Sequence, residues 1–298
     1  MGLAIIFALL AAIGFGCGNV FVRLGIERVS TRAATFWTVL SGAVLLTVLA
    51  LALNFSEIKS LKLSTIGWIA VMGVIAYPLA RVLHNTAINM IGASRSVPMS
   101  SIQPLVAFSL GMLLLGERPN ALVSAGTPVI VGGLLMVVLA GNIGPTERLL
   151  TTKNIGYLLA IGGAAAFASR DVISRHIVTG TAPPLVAAAF ALAIGGIMLF
   201  ALFHRDVAQS LRQAPGRYLG LCAIAGIFQG LAVAAVFQAL SRAPVTVVSP
   251  IYASQPLVTL LLVHIFLKRL ETVSPLLALG TVISISGVSL VIIGAAAS

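Results

Sequence analysis

One short stretch of this sequence gathers polar side chains at a spacing that can do chemistry. Tyr77, Arg81 and His84 stand at i, i+4 and i+7, one face of a helix, with Asn85 beside them. A guanidinium, an imidazole, a phenol and an amide on one stripe can hold a carboxylate or line a water-filled passage. The competing reading has Arg81 reaching along its stem to an interface and His84 bonding a backbone carbonyl. Pro78, inside the same stretch, lacks an N–H and can kink the helix. A second group comes from a repeated dipeptide, Gln103-Pro104 and Gln255-Pro256, preceded by Ser100 and Ser101 in one copy and by Tyr252 and Ser254 in the other. Each amide can donate and accept, and each proline leaves a carbonyl without its usual donor. These glutamines either meet a ligand or tie neighbouring helices together. Gln229 and Gln238 add two further amides beside Phe228 and Phe237. Asp171 is the one carboxylate well inside a helical stretch, with Arg170 adjacent and Arg175 one turn on. It either seals a helix end as an i,i+4 pair or serves as a gate or a contact for an amine.

Bond-breaking chemistry finds no such grouping. His84, His176, His204 and His264 fall in separate segments, without the HExxH spacing of a zinc site, and no carboxylate pair or activated nucleophile assembles. The glycine run Gly14-Phe15-Gly16-Cys17-Gly18 follows no strand, so it is no nucleotide loop. We expect no catalytic residues, no metal, no cofactor and no enzymatic activity. A membrane scaffold or channel remains a lesser alternative to a carrier.

The composition says which elements position these residues. Of 298 residues, 59% are hydrophobic and only 8% are charged, against roughly 25% in a soluble domain. The formal net charge is +11 and the mean hydropathy +1.11. So few charges cannot cover a soluble surface. The basic residues are scattered singly between apolar runs, which speaks against a nucleic-acid partner. Stretches free of Asp, Glu, Lys and Arg run Met1–Val22, Ala33–Ser56, Leu63–Ala80, Ser96–Gly116, Pro119–Thr146, Asn154–Ser169, His176–His204, Tyr218–Ser241, Ala243–Leu267 and Thr272–Ser298. A helix crosses the hydrocarbon core with about 20 residues, so the expected class is an all-α integral membrane protein with ten transmembrane helices and the lipid bilayer as its partner. The alternating segments of a barrel are not seen. The first stretch lacks a basic leader and reads as a retained helix. Cys17 and Cys222 read as small buried hydrophobes.

An internal repeat organises the spans. Gln103-Pro104-Leu105-Val106 recurs as Gln255-Pro256-Leu257-Val258, an offset of 152. The same offset pairs Phe15 with Phe167, Asn19 with Asp171, Arg23 with Arg175, Leu79-Ala80 with Leu231-Ala232 and Ala87 with Ala239. Further on it becomes 154, matching Gly126-Thr127 to Gly280-Thr281 and Gly133 to Gly287. We therefore expect a first five-helix repeat over 1–143, a loop at 144–153 and a second five-helix repeat over 154–298. An odd number of spans inverts the second copy, and inverted repeats suit alternating access with a site at the bilayer midplane. The plainer alternative is an old duplication kept for stability.

The residues carrying this pattern resemble a known family. Phe15-Gly16 and Asn19 precede Arg23 in the first helix; Pro104 and Gly116-Glu117 mark the fourth; Gly126 and Gly132-Gly133 mark the fifth; Pro256, Glu271, Gly280 and Gly287 echo them. This is similar to the drug/metabolite transporter superfamily, EamA type, over essentially the whole chain. The resemblance implies a multi-pass protein of the bacterial inner membrane, acting as a monomer and exporting small molecules, amino acids foremost; the alternative is multidrug or other metabolite efflux. The family often has Trp-Gly where Phe15-Gly16 stands, and small multidrug relatives use a first-helix glutamate that is missing here, where Asn19 is the nearest polar residue. Loop arginines favour termini outside; the family pattern, which we follow, puts them in the cytoplasm. For a zwitterionic amino acid, Arg81 would face the carboxylate, Gln103, Gln255 and the carbonyls freed by Pro104 and Pro256 the ammonium, and Tyr77, Tyr252 and Phe237 the side chain. Ser100, Asn85 and Gln229 would complete the cavity; Pro78, Asn19 and Asp171 join the two Gln-Pro prolines as kink or gate positions.

Overall fold

The computed structural model describes residues 1–91, 99, 101–141, 153–266 and 275–297, which fold into helices with no strand among them. In chain order they are α1 (Gly2–Gly25), α2 (Thr31–Leu53), α3 (Phe55–Lys59), α4 (Leu63–Val74), α5 (Ala80–Ile91), α6 (Gln103–Leu115), α7 (Ala121–Gly141), α8 (Lys153–Val178), α9 (Pro184–Gln213), α10 (Gly216–Leu240), α11 (Val245–Tyr252), α12 (Gln255–Phe266) and α13 (Pro275–Ala296). Between α4 and α5 lies a π-helical turn, Ile75–Leu79, that contains Pro78. A proline cannot donate to the preceding turn, and the wider turn, closed by Ala80 N–H to the Ile75 carbonyl, carries the helix past it.

Local signals set the other ends. The Ser30 hydroxyl accepts from the Ala33 N–H at 3.3 Å and starts α2. Pro183, Pro215 and Pro244 precede α9, α10 and α11, where the first N–H groups have no helical partner to lose. Gly116 closes α6 at φ 66°, a left-handed conformation that suits a residue without Cβ.

The surface is that of a protein solvated by lipid. Leu113, Ile197 and Val282 are 80%, 69% and 61% exposed, whereas the interior is built largely from small residues such as Ala4, Ala8, Ala11, Ala187 and Ala188. Large side chains facing out and small ones facing in let helices pack closely where lipid removes the hydrophobic drive between them. Among the described residues, eight helical segments are long and apolar enough to cross a membrane: 2–25, 31–53, 63–84, 121–140, 184–213, 216–240, 245–262 and 275–296. The other two expected spans coincide with α6, which has 13 residues, and α8, whose 26 residues include Arg170, Asp171 and Arg175.

Helix pairing follows the repeat. α1 packs on α10 and on α11–α12; its counterpart α8 packs on α5 and α6; α2 packs on its counterpart α9, and α7 on its counterpart α13. In the last pair, Gly126 lies against Gly287 and Val291, while Gly133 lies against Ser284 and Gly280. As one helix ascends the other descends, and each glycine of one repeat meets the mirror of its neighbour in the other. That pattern is the signature of a local two-fold axis across an antiparallel pair. α1 with α10 and α8 with α5 are antiparallel by the same criterion: Gly14 meets Ala232 and Gly25 meets Cys222, while Gly163 meets His84 and Gly156 meets Ile91.

Candidate functional site

Helices of both repeats converge on a cavity of about 280 Å³. α1 supplies Phe15 and Asn19, α2 Thr38 and Val39, the π turn Tyr77, and α5 Arg81 and His84. α6 brings Gln103, α8 Phe167 and Arg170, α9 Leu192, α10 Gln229, Gly230 and Val233, α11 Tyr252 and α12 Gln255. The stripe at 77, 81 and 84 thus faces the cavity, and the two repeated glutamines reach it from the first residues of α6 and α12. Ser100, and the side chain of Asn85, lie outside the described residues. Phe237 is 2% exposed and belongs to the core; one turn beyond Val233, its face of α10 has passed the cavity.

The prolines stand differently from one another. Pro78 sits inside the π turn, whereas Pro104 and Pro256 stand in the opening turns of α6 and α12. Just before each Gln-Pro the chain turns, and Leu105 N–H and Leu257 N–H bond back to the Ile102 and Ser254 carbonyls, both at 2.9 Å. These prolines open new helical segments, where a missing N–H is harmless, instead of interrupting a continuous helix.

The cavity's polar wall is a closed network around Asp171. Arg170 donates from Nε at 3.1 Å and from Nη2 at 2.6 Å to Asp171 Oδ1. Ser249 Oγ donates to Oδ2 at 3.1 Å, and so does the Tyr252 hydroxyl. The Tyr252 oxygen in turn accepts from Arg170 Nη2 and from Gln103 Nε2, both at 2.9 Å. A carboxylate has about four acceptor sites, and all of Asp171's are taken; a phenol accepts twice and donates once, and Tyr252 does all three. Asp171 is wholly buried. The partner of Asp171 is its neighbour Arg170, not the i+4 Arg175, whose guanidinium bonds the Leu240 carbonyl. The i,i+4 seal is therefore corrected: residue 175 ties α8 to the end of α10, and the buried pair is formed within one turn.

Arg170 was missed as a lining residue by sequence reasoning, which treated it as a neighbour of Asp171. Its signal was available: Phe167 and Arg170 stand at i and i+3, and the 152 offset puts Phe167 on the same strip as Phe15. Thr38, lacking charge, gave no signal.

The two repeats are tied together at the start of α11, and the cavity continues elsewhere. At the tied end of α11, Glu117, just past α6, accepts from the Val245 N–H at 2.7 Å and the Thr246 N–H at 2.9 Å. It thereby caps α11 from the opposite repeat. A further space of about 250 Å³ shares Asn19 and Gln255 with the cavity and extends to Arg23, Pro256 and Thr259. Among the described residues no group of three or more His, Cys, Asp or Glu converges to hold a metal.

The sequence model of the EamA-like transporter family matches this chain twice, over residues 2–139 and 154–293. Among solved structures, one crystal structure superposes with a TM-score of 0.77 over 99% of this chain and 98% of its own, at 19% identity. At that identity the likeness shows the fold alone. A search of curated proteins finds no significant match.

Proposed function

From the premise that this chain belongs to the EamA-like transporter family of the drug/metabolite transporter superfamily, we propose that it exports amino acids or similar small metabolites by alternating access. As a transporter it is an integral multi-pass membrane protein; the bacterial inner membrane is the proposed location, with both termini in the cytoplasm and a single chain as the working unit. The proposed topology is ten crossings in two inverted five-helix halves, over 1–143 and 154–298 with the loop 144–153 between them. The antiparallel α7–α13 pair supports the inversion.

One observation carries the reading. The polar cavity lies where the two repeats meet, with one glutamine from each, Gln103 and Gln255, at the start of a broken helix. Broken helices at a repeat interface are where carriers of this architecture bind substrate. Exchanging the conformations of the two halves would open the Glu117 end and close the Arg23 end, presenting the same cavity to the other side. A lipophilic drug cation would want an available carboxylate and an aromatic cage, and Asp171 has no acceptor left to offer.

The test is counterflow of radiolabelled substrates into proteoliposomes containing the purified full chain. Saturable uptake driven by an internal load of the same amino acid supports a carrier. Unsaturable flux would make it a pore. Resistance of cells to drug cations with unchanged amino-acid efflux would replace this reading with multidrug export.

A further inference from the structure

The charges in the cavity do not balance, and that imbalance selects among substrates. Two guanidiniums, Arg81 and Arg170, face it, and Asp171 answers only one of them. Arg81 makes no hydrogen bond or ion pair among the described residues, and its Nε is buried without any partner. Arg170 spends Nε and Nη2 on Asp171 and Tyr252, and its Nη1 makes no bond among the described residues. The other described carboxylates are engaged or placed elsewhere: Glu117 caps α11, Asp206 lies 3.8 Å from Arg32, and Glu27 and Glu57 are exposed on loops and α3. Among the described residues the cavity therefore holds one surplus positive charge with directed N–H donors. A lone charge away from bulk water is costly until an anion or water meets it.

The one buried carboxylate and its phenol partner are closed to an ammonium, and what the lining still offers it is neutral oxygen, such as the amide carbonyls of Gln229 and Gln255. Asp171 has its four acceptor sites filled, the Tyr252 hydroxyl is saturated, and the Gln103 amide nitrogen is already donating to it. Gln103 can offer an ammonium only its carbonyl oxygen. The rest of the lining is largely apolar and partly aromatic, from Phe15, Val39, Phe167, Leu192 and Val233, with the Phe167 ring 5.9 Å from the Arg170 guanidinium. At about 280 Å³ the space fits a small body of this kind.

Resting on the transport reading above, and narrowing its substrates from amino acids to carboxylates among the small metabolites, we propose that the cavity selects small organic monocarboxylates with an apolar or aromatic body, bound by their carboxylate between Arg81 and Arg170, over zwitterions and cations of the same shape. A carboxylate neutralises the surplus charge; a zwitterion leaves it standing and sets an ammonium beside Arg81; an amine adds to it.

Three ligands of one shape test this on the parent chain: 3-phenylpropanoate, phenylalanine and 2-phenylethylamine, titrated calorimetrically at pH 7.5 into the full chain in nanodiscs. We expect 3-phenylpropanoate to bind about tenfold more tightly than phenylalanine, and the amine not to bind measurably. Arg81→Gln should erase that preference, and Arg81→Lys should keep most of it, since a point charge remains but the fork is lost. Equal or tighter binding of phenylalanine in the parent chain overturns the proposal, and needs no variant to fold. In the counterflow assay, saturable exchange of amino acids together with that result leaves carriage intact and removes only the charge selection. No saturable exchange of any amino acid or carboxylate removes carriage itself, whatever the calorimetry gives. An Arg81→Gln protein that elutes as a single species and keeps the preference also overturns the assignment.

Discussion

The two halves of the cavity start from the same backbone and end in different chemistry. Around α1 the lobe is neutral: Asn19 accepts from Gln229 Nε2 at 3.4 Å, a long bond, and the space beyond continues towards Arg23. Around α8 the equivalent position is Asp171, held by hydrogen bonds from Arg170, Ser249 and Tyr252, and nearby Glu117 ties α6 to the start of α11. The residue before each differs as sharply. Gly18 lies so close to α10 that a Cβ there would come within 2.6 Å of Gln229 Cγ, whereas its counterpart 152 residues on, Arg170, faces the cavity. Duplication supplied a symmetric frame, and two substitutions at neighbouring positions broke its electrostatic symmetry. The difference suggests a division of labour, with a rigid charged lobe that recognises and a loose neutral lobe through which the cavity communicates.

The strongest way to break that comparison is to make the lobes alike. Asp171→Asn restores the side-chain type of Asn19 and strands Arg170 in a buried site. Removing one member of a buried pair typically costs about 3 kcal/mol or more, and we expect that loss in chemical denaturation, with lower recovery of folded protein. Asp171→Asn combined with Arg170→Gln removes both charges and should recover a large part of it. If the single change is as mild as a change at Asn19, the rigid lobe is not rigid.

The symmetric frame can be tested beside it. Gly126 and Gly280 are counterparts, and a Cβ on either would meet backbone atoms of the partner helix: the Gly287 carbonyl at 2.9 Å and the Gly133 carbonyl at 2.8 Å. Backbone cannot step aside, so Gly126→Ala and Gly280→Ala should each destabilise by about 2 kcal/mol, and by similar amounts. Gly132, whose Cβ would meet nothing within 4 Å, is the control; Gly132→Ala should be neutral or stabilising by up to about 1 kcal/mol. Unequal penalties at the counterparts would show that the frame, too, has lost its symmetry.

This contrast also explains what the sequence made legible. The frame was readable because helices, glycine seams and Gln-Pro breaks leave periodic marks, and the offsets of 152 and 154 align them. The stripe at Tyr77, Arg81 and His84 was readable because charge on a spanning helix must face protein or water. What could not be read was how side chains saturate one another. Nothing in the spacing says that Tyr252 takes two donors and gives one, that Asp171 chooses Arg170 over Arg175, or that Phe237 passes from cavity to core within one turn. Those outcomes depend on the crossing of helices far apart in the chain. The prolines divide in the same way: Pro78 needed a π turn because it lies within a continuous helix, while Pro104 and Pro256 rest in first turns that the sequence alone cannot locate.

A smaller effect should follow from loosening the tied end. Glu117→Gln keeps a side chain of the same length but replaces a carboxylate oxygen with an NH2 group, so one of the two α11 N–H groups loses its acceptor. We expect about 1 kcal/mol of destabilisation and, more informatively, faster reaction of a cysteine at position 103 with a water-soluble reagent applied from the Glu117 side. Unchanged labelling would mean that the cap only stabilises α11 and does not hold the cavity closed.

The smallest effect belongs to the neutral lobe, and the contrast depends on it being small. Asn19 is amide where Asp171 is acid, and its bond from Gln229 is near the outer limit of a hydrogen bond. Truncation to alanine removes that bond and little packing, so Asn19→Ala should cost about 0.5–1 kcal/mol, several-fold less than Asp171→Asn. An amide cannot take up or release a proton at ordinary pH, so the change also removes no titrating group. The side chain lines the cavity, so the rate is free to scale, but the pH profile of flux between pH 5.5 and 8.5 should keep its shape when parent and variant curves are normalised and overlaid. If the normalised curves diverge, the neutral lobe takes part in proton coupling through water or a neighbour. The recognition-and-passage division would then give way to one in which both lobes respond to charge.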